Sequence, residues 1–339
     1  MTFPQAVHGR IINREDSGYT MTAIPKAELD IPIDSGLFLY GNKLQDTVNV
    51  SAEVGDGSFG VAKIGETGYS ALILEHMSRV GCDRSPNFPQ HHMIYMPTSK
   101  FEELGHDFFP IYDAAVRSTL GPKHYEKREL LSPLEVRVDP NYKANNFEAL
   151  STMVRGDNAI LEKMIETLIT GSTLRIGREN TNAYDNAKML SGLLNTVPIP
   201  MREAIAIYQN SDRYKPTNRY SKIGCNSLRF NVHEYYGDFN KMAVPDANIL
   251  TGNNQYAKLA AKYLIDGDYN KLDELTKGDL AKKVVDELPQ NVANIKQKIE
   301  TKAQKIKLER EMEVRQRAEE RTQRRKEKSF LGRFIDKFR

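Results

Sequence analysis

The segment from residue 279 onward most strongly limits what this chain can fold into. It predicts one long helix over 279–328 with a thin apolar stripe, formed by Leu280, Val284, Leu288, Ile295, Ile299, Ile306 and Met312. Pro289 is expected to kink this helix or to divide it into two segments. Beyond Met312, acidic and basic residues pair at i,i+4 spacing, as Glu311 does with Arg315, which predicts a solvated rod or a weak coiled coil. We therefore expect this segment to add little to a hydrophobic core.

The charge of the chain is divided at nearly the same place. The whole chain has 48 Lys and Arg against 45 Asp and Glu, a formal net charge of +3. Residues 296–339 hold 16 basic and 8 acidic residues, a balance of +8, which leaves −5 for residues 1–295. Because a nucleic-acid-binding domain normally shows a basic patch on its folded part, an acidic body argues against that function. The basic tail leaves open contact with anionic lipid, nucleic acid or an acidic partner.

The last eleven residues, 329–339, predict a separate amphipathic helix. We expect its docking to use Phe330, Leu331, Arg333, Phe334, Ile335, Lys337 and Phe338. Three Phe beside cationic residues suit insertion into an anionic membrane interface, and they equally suit the groove of a protein partner. A third alternative is that this helix folds back onto its own body.

The remaining sequence predicts the fold class α+β. Residues 1–155 are expected to form a mixed, strand-rich domain, with strands at Gln5–Ile12, Gly36–Tyr40, Ser58–Ile64, Tyr69–Leu74, His92–Met96 and Leu134–Val138. A short helix is expected to start near Thr98. Residues 156–278 are expected to form a mainly helical domain, followed by the long charged helix and the terminal helix.

The helices of the second domain are predicted from the helical spacing of apolar residues, such as Leu161, Ile165 and Leu168, and from their end residues. Asp157 is a suitable N-cap for a helix over 159–169, and Gly171 is expected to end it. The other predicted helices run from Thr181 or Asn182 to Leu194, from Asn254 to Ile265 and from Tyr269 to Leu275, with Gly267 and Gly278 as boundaries. Thr173–Ile176 is expected to add a strand.

Composition excludes several classes of protein. No stretch approaches the roughly 20 apolar residues that cross a bilayer, so we expect no transmembrane segment. Only Cys82 and Cys225 are present, too few for a disulfide-dense secreted scaffold. The first residues lack the basic and apolar regions of a secretory signal, so a cytoplasmic location is expected.

The motifs of common enzymes are missing from the sequence. It has no P-loop, dinucleotide fingerprint, nucleophile elbow, H-E-x-x-H or kinase motif, which excludes a P-loop GTPase and leaves no predicted cofactor. His76, Cys82 and the pair His91 and His92 lack zinc-ligand spacing. Adjacent histidines on a strand also point to opposite faces, so we expect no metal site.

A few residues remain as candidates for chemistry. His8 and His92 are expected to line a functional pocket, and a hydrolase-like enzyme built around His92 and nearby acids is one alternative function. Glu102, Glu103 and Asp107 beside His106 are expected to form a solvated helix end. Aromatic and basic residues alternate over 208–222, which suits either nucleic-acid stacking or a polar surface loop.

Two groups of short motifs resemble a known family. They are Gln5–Arg10, Gly18–Tyr19, His92–Ile94 and Glu103–Gly105, then Leu190–Leu194, Val197–Pro198 and Met201–Ala204. Over about residues 3–235 they resemble the N-terminal and middle domains of the bacterial GTPase-associated proteins, although His8 stands where that family has an aromatic residue. The resemblance implies an adaptor encoded beside a GTPase in a bacterial conflict or signalling system, with no catalytic residues to transfer.

The function predicted from the sequence is therefore that of a non-catalytic adaptor or scaffold. It would bind a protein partner, with a GTPase as the partner that the resemblance implies, and dock through its terminal helix at a partner or peripherally at a membrane. Besides the hydrolase, the alternative is nucleic-acid binding through the Arg-rich helix.

Overall fold

The computed structural model describes residues 1–11, 20–33, 59–64, 67–78, 88–121, 123–171, 174–176, 183–209, 229–232, 254–288 and 312. Of these residues, 47% are helical and 23% lie in strands, so the predicted mixture of α and β structure is confirmed. Several predictions lie outside the described residues: the strand Gly36–Tyr40, both cysteines, residues 210–222 of the segment 208–222, the helix beyond residue 288 apart from residue 312, and the docking residues of 329–339.

A nine-stranded sheet dominates the described part of the chain. Its strand order is β7-β3-β2-β6-β5-β4-β10-β11-β9. The bounds of these strands are β2 Gln5–Gly9, β3 Thr20–Pro25, β4 Phe59–Lys63, β5 Tyr69–Ser78, β6 Phe88–Pro97, β7 Glu129–Leu131, β9 Leu174–Ile176, β10 Ala206–Gln209 and β11 Arg229–Val232. The short strands β1 (Thr2–Phe3) and β8 (Leu134–Glu135) form a separate antiparallel pair.

The centre of the sheet is antiparallel and its margins are parallel. The ten-residue strands β5 and β6 pair along their whole length, from Tyr69 with Pro97 to Ser78 with Phe88. On either side of this pair, β2 and β4 also run antiparallel to their neighbours. The parallel pairs are β3 with β7, β10 with β11 and β11 with β9. Because β6 pairs with β2 on one side and with β5 on the other, side chains from these three strands lie next to one another in a fixed register.

Eight helices have defined bounds in the described residues. They are α1 Thr98–Glu103, α2 Phe109–Arg117, α3 Tyr142–Met153, α4 Asn158–Ile169, α5 Ala183–Leu194, α6 Ile199–Arg202, α7 Gln255–Ile265 and α8 Tyr269–Lys277. The predicted cap of α4 is confirmed, since the Asp157 side chain accepts hydrogen bonds from the backbone of Ala159 and Ile160. Asn254 caps α7 in the same way, and residues 279–288 are helical as predicted.

The two faces of the sheet carry different apolar clusters. Side chains alternate between faces along each strand, so Leu72 and Ile94 belong to the large cluster that includes the helices, whereas Ile73 and Met93 belong to a smaller cluster on the opposite face. The large cluster includes residues from before and after position 155. Residues 1–288 form one compact unit and residues 289–339 are grouped as a second. The domain boundaries at 155/156 and 278/279 stay predictions.

One further segment covers the β2–β6 end of the helix-side face. It consists of residues 118–121 and 123–132, and we call it the strap. Tyr125 and Leu131 of the strap pack with Val7 and Ala23 of the sheet, and the Tyr125 hydroxyl donates to the carbonyl of Leu120. The strap ends in β7, an edge strand among the described strands of the sheet.

Candidate functional site

The two histidines predicted to share a pocket lie on neighbouring strands but on opposite faces of the sheet. In the β2–β6 register His8 stands opposite His91, and Val7 stands opposite His92. Directly opposed residues share a face and successive residues alternate. His8 therefore shares a face with His91, while His92 shares the other face with Gln5 and Val7. A pocket that uses both His8 and His92 stays a prediction.

On the first of these faces, His91 lies between His8 and Glu75. The rings of His8 and His91 are 5.8 Å apart at their centroids. His91 Nε2 lies 3.9 Å from Glu75 Oε2, too far for a hydrogen bond, and both residues are buried. Burial, followed by the charges of His8 and His76, lowers the pKa of His91 to about 3. His91 is therefore neutral at pH 7.

On the other face, His92 is held by a chain of hydrogen bonds that ends in the strap. The Gln5 side-chain amide donates to the Ser132 carbonyl at 2.7 Å, which orients Gln5 Oε1 toward His92. His92 Nε2 lies 2.8 Å from this oxygen, so the imidazole carries its proton on Nε2. The Nδ1 lone pair of His92 is buried and has no hydrogen-bond partner within the described ranges.

Gln90 and His76 complete this group, which we call the strap cluster (Gln5, His76, Gln90 and His92). The Gln90 amide donates to the carbonyls of Gly121 at 2.8 Å and Lys123 at 3.0 Å. His76 stands opposite Gln90 in the β5–β6 register, and its ring lies 6.4 Å from that of His92. Gln90 Oε1 and His76 Nε2 are buried without a hydrogen-bond partner among the residues that the structure describes.

A glycine lets the strap approach His76 closely. A Cβ added to Gly121 would lie 2.3 Å from His76 Nε2, a distance that real Cβ atoms do not show. Burial lowers the pKa of His76 to about 4, and burial followed by the charge of His76 lowers the pKa of His92 to about 3. Both imidazoles are therefore neutral at pH 7 and can act as acceptors or ligands.

A second buried polar group lies among the helices, and it overturns one prediction. Asp107 was expected at a solvated helix end, but its side chain is fully buried. It accepts hydrogen bonds from Phe109 N at 3.0 Å, from Ser191 Oγ at 2.8 and 2.9 Å, and from the Asn195 amide. The expectation was wrong because the chain turns inward between α1 and α2, and Asp107 satisfies the backbone at the start of α2. His106 is buried as well, whereas Glu102 and Glu103 are exposed as expected.

Arg202 provides the opposite charge of this group, the Asp107 cluster (Asp107, Ser191, Asn195 and Arg202). Its guanidinium donates to the side-chain oxygen of Asn195 at 2.9 Å and to the backbone carbonyls of Val197, Gly105 and Asn195 at 2.9 to 3.2 Å. Asn195 thus links the carboxylate to the guanidinium. Burial raises the pKa of Asp107 and lowers the pKa of Arg202. Asp107 and Arg202 both form their hydrogen bonds with neighbouring residues of the fold, so the cluster connects the ends of several helices.

A groove lies on the surface between α3 and α5. Its volume is about 570 Å³, and it is lined by Asn145, Glu148, Ala149, Thr152, Met153, Arg155, Asp185 and Lys188. Two acidic and two basic side chains balance the charge of the groove, so it favours neither an anionic nor a cationic ligand.

Two searches of the described ranges found nothing. No group of three or more His, Cys, Asp or Glu side chains there is placed to hold a metal ion. Within the same ranges, no helix has both the length and the apolar content that crossing a membrane requires.

Comparisons of the chain with models of known protein families, with curated proteins and with solved structures found no match.

Proposed function

We propose that this protein is a non-catalytic adaptor that binds a protein partner through its C-terminal arm, residues 279–339. The observation that carries the proposal is the separation of charge and aromatic residues along the chain. Residues 1–295 have a net charge of −5, residues 296–339 have +8, and the arm ends in a peptide with Phe330, Phe334 and Phe338 at helical spacing. Such a peptide provides apolar anchors for a groove, and the surrounding cations add electrostatic attraction to an acidic partner.

The predicted helix over 279–328 is long and has few stabilising contacts of its own. A continuous helix over 279–328 would be about 75 Å long at 1.5 Å per residue. Its i,i+4 ion pairs stabilise a helix by only about 0.2 to 0.5 kcal/mol each, so the arm has little reason to be stable without further contacts. Binding would then stabilise the helix and bury Phe330, Phe334 and Phe338. Residues 279–288 are helical, but Ala281 and Val284 belong to the large apolar cluster of the body, so the part of the helix that is left for a partner begins after residue 288.

The most deeply buried charges of the body also fit a scaffold. Asp107 and Arg202 make their hydrogen bonds to neighbouring helix ends and to Asn195, which is a use in stability rather than in chemistry. The family resemblance makes a GTPase the first partner to test. Both the adaptor role and the partner class are proposals.

The test compares the full chain with a triple variant, Phe330→Ser, Phe334→Ser and Phe338→Ser, which keeps every charge of the arm. We expect capture of the partner GTPase to fall at least about tenfold, since three buried aromatic anchors are lost. The matched control, Phe3→Leu in β1, keeps the arm intact and should bind normally.

Two results would contradict the proposal. One is equal capture by the triple variant and the full chain. The other is binding of the arm to vesicles that contain phosphatidylglycerol, lost in the triple variant, with no capture of protein. That result would assign the terminal helix to a membrane surface instead.

A further inference from the structure

The strap packs on the sheet through a small apolar cluster that is separate from the main core. Tyr125 and Leu131 of the strap form this cluster with Val7 and Ala23, whereas the helices belong to the large cluster. Segments that bury few apolar side chains open locally at a lower free energy than the whole fold. The strap can therefore open while the rest of residues 1–288 stays folded.

The first half of the strap, residues 118–121 and 123–125, lies against His76. A Cβ at Gly121 would overlap His76 Nε2, and this nitrogen is buried without a hydrogen-bond partner among the described residues. In a neutral imidazole one ring nitrogen carries a lone pair, whereas in the imidazolium both nitrogens carry a proton. A charged His76 would therefore direct an N–H group at Gly121, with no acceptor for it in the described part of the chain.

His92, on the same face, is equally unable to hold a second proton. Its Nε2 proton already goes to Gln5 Oε1, and the Gln5 amide donates to the Ser132 carbonyl of the strap. Its Nδ1 is buried and lacks a partner within the described ranges. Because a buried charge without a partner is strongly unfavourable, a cation on either ring requires water.

The charged and titratable groups around the two rings do not compensate a charge on them. These groups are Lys123, His124 and Glu129 on the strap, and His8, Glu75 and His91 on the sheet. Lys123 pairs with Glu129, and Glu75 lies on the opposite face beside His91. Burial lowers the pKa of His76, and within the described ranges no carboxylate raises the pKa of His76 or His92. Hydration is therefore the way to accommodate the cation.

We propose that the strap is a pH-sensitive cover, and that its first half lifts from β5 and β6 when His76 takes up a proton. Lifting breaks the two hydrogen bonds from the Gln90 amide to the carbonyls of Gly121 and Lys123. Water then reaches His76 Nε2 and solvates the charge. The second half of the strap stays attached, because β7 keeps its parallel pairing with β3.

The direction of the effect follows from the pKa of His76 in the closed and open states. Burial lowers this pKa to about 4 under the strap, and hydration restores a value near 6.5. The closed state is therefore favoured in full above about pH 6.5, and it loses this advantage as the pH falls toward 4. Between pH 7 and pH 5 the fraction of open strap should rise about 20-fold through this one group.

The test is hydrogen exchange of the full chain at pH 7 and pH 5, measured by mass spectrometry and corrected for the intrinsic exchange rates. We expect the amides of the first half of the strap to lose about 20-fold in protection at pH 5. His76→Gln should remove this loss, because glutamine does not titrate. The matched control, His124→Gln, changes another histidine of the strap and should keep the loss.

Urea distinguishes local opening from unfolding of the whole body. Local opening exposes little surface, so exchange in the first half of the strap should not respond to urea below the unfolding transition. An equal loss of protection in His76→Gln would overturn the proposal, and so would a loss that depends on urea as steeply as exchange in α5. If His76→Gln does not fold, the unaltered chain decides: equal protection of the strap at pH 7 and pH 5 would overturn the proposal.

Discussion

The strap cluster and the Asp107 cluster are both buried polar groups, yet they differ in how completely their atoms are paired. In the Asp107 cluster, both oxygens of the carboxylate accept hydrogen bonds and the guanidinium of Arg202 donates to four oxygens. In the strap cluster, His76 Nε2, Gln90 Oε1 and His92 Nδ1 are buried without a hydrogen-bond donor among the described residues. A closed network holds a fold together, whereas an open one leaves atoms that a ligand can use. Burial alone does not distinguish the two.

The largest loss of stability should follow from removing the carboxylate of the Asp107 cluster. Asp107→Ala removes the acceptor of Ser191 and Asn195 and leaves the buried charge of Arg202 uncompensated. We expect a loss of about 3 to 5 kcal/mol in the free energy of unfolding, measured by urea denaturation. The control Asp273→Ala breaks an exposed pair with Lys277 and should cost less than about 1 kcal/mol. Similar losses for both variants would show that the Asp107 cluster does not stabilise the fold.

Two glycines allow a direct comparison of the rigidity of the clusters. A Cβ on Gly192 would lie 2.4 Å from the backbone oxygen of Asn146, so α3 and α5 would have to separate. A Cβ on Gly121 would meet the tip of the His76 ring, which can turn aside. Overpacking costs about 1 to 3 kcal/mol, and we expect Gly192→Ala at the upper end and Gly121→Ala at the lower end. Thermal unfolding of the two variants checks this order, and the reverse order would contradict it.

The smallest effect concerns the dependence of stability on pH. The folded pKa of His92 is lowered to about 3, so below the unfolded value of 6.5 the unfolded chain binds more protons. The stability contribution is complete above pH 6.5 and is lost as the pH falls toward 3. The slope between pH 6 and pH 5 is about 1.4 kcal/mol per pH unit for one such histidine. His92→Gln should reduce the slope of the whole chain by about this amount.

The Asp107 cluster should act in the opposite direction. Its carboxyl pKa is raised, so the native state holds this proton more tightly and gains relative stability on acidification. Urea denaturation at a series of pH values would separate the two effects. If His92→Gln leaves the slope of the unfolding free energy against pH unchanged, burial does not lower the pKa of His92, and the prediction is wrong.

Local patterns predicted part of this fold, and the rest depended on contacts far apart in sequence. Asp157 could be predicted as the cap of α4 because a cap acts within three residues of its own position, and Asn254, the first residue of the other predicted helix, proves to cap α7. Helix α3 was not predicted because Asn145 and Asn146 interrupt its apolar residues. Asn146 is buried, and its side-chain amide donates a hydrogen bond to Ser191 on α5. Local propensity contains no information on such a partner.

Neither polar cluster could have been assembled from spacing alone. Asp107 and Asn195 are 88 positions apart, and only the packing of α5 against the start of α2 joins them. His76 and His92 share a face because of the register of β5 and β6, and a shift by one residue would separate them. Alternation along a strand correctly placed His91 and His92 on opposite faces. It could not show which histidine of the neighbouring strand each one meets.

The position of β2 between β3 and β6 has a consequence for the speed of folding. Gln5 meets His92 across 87 positions and Ser132 across 127, and the amino group of Met1 donates to Val136 across 135. Every one of these contacts closes a long loop, and loops of this kind slow the formation of the native state. As the chain is synthesised, β2 and its neighbour β3 emerge well before β6, so the other edge of β2 stays unpaired until β6 follows. A chaperone that shields this early strand would therefore raise the yield of folded protein.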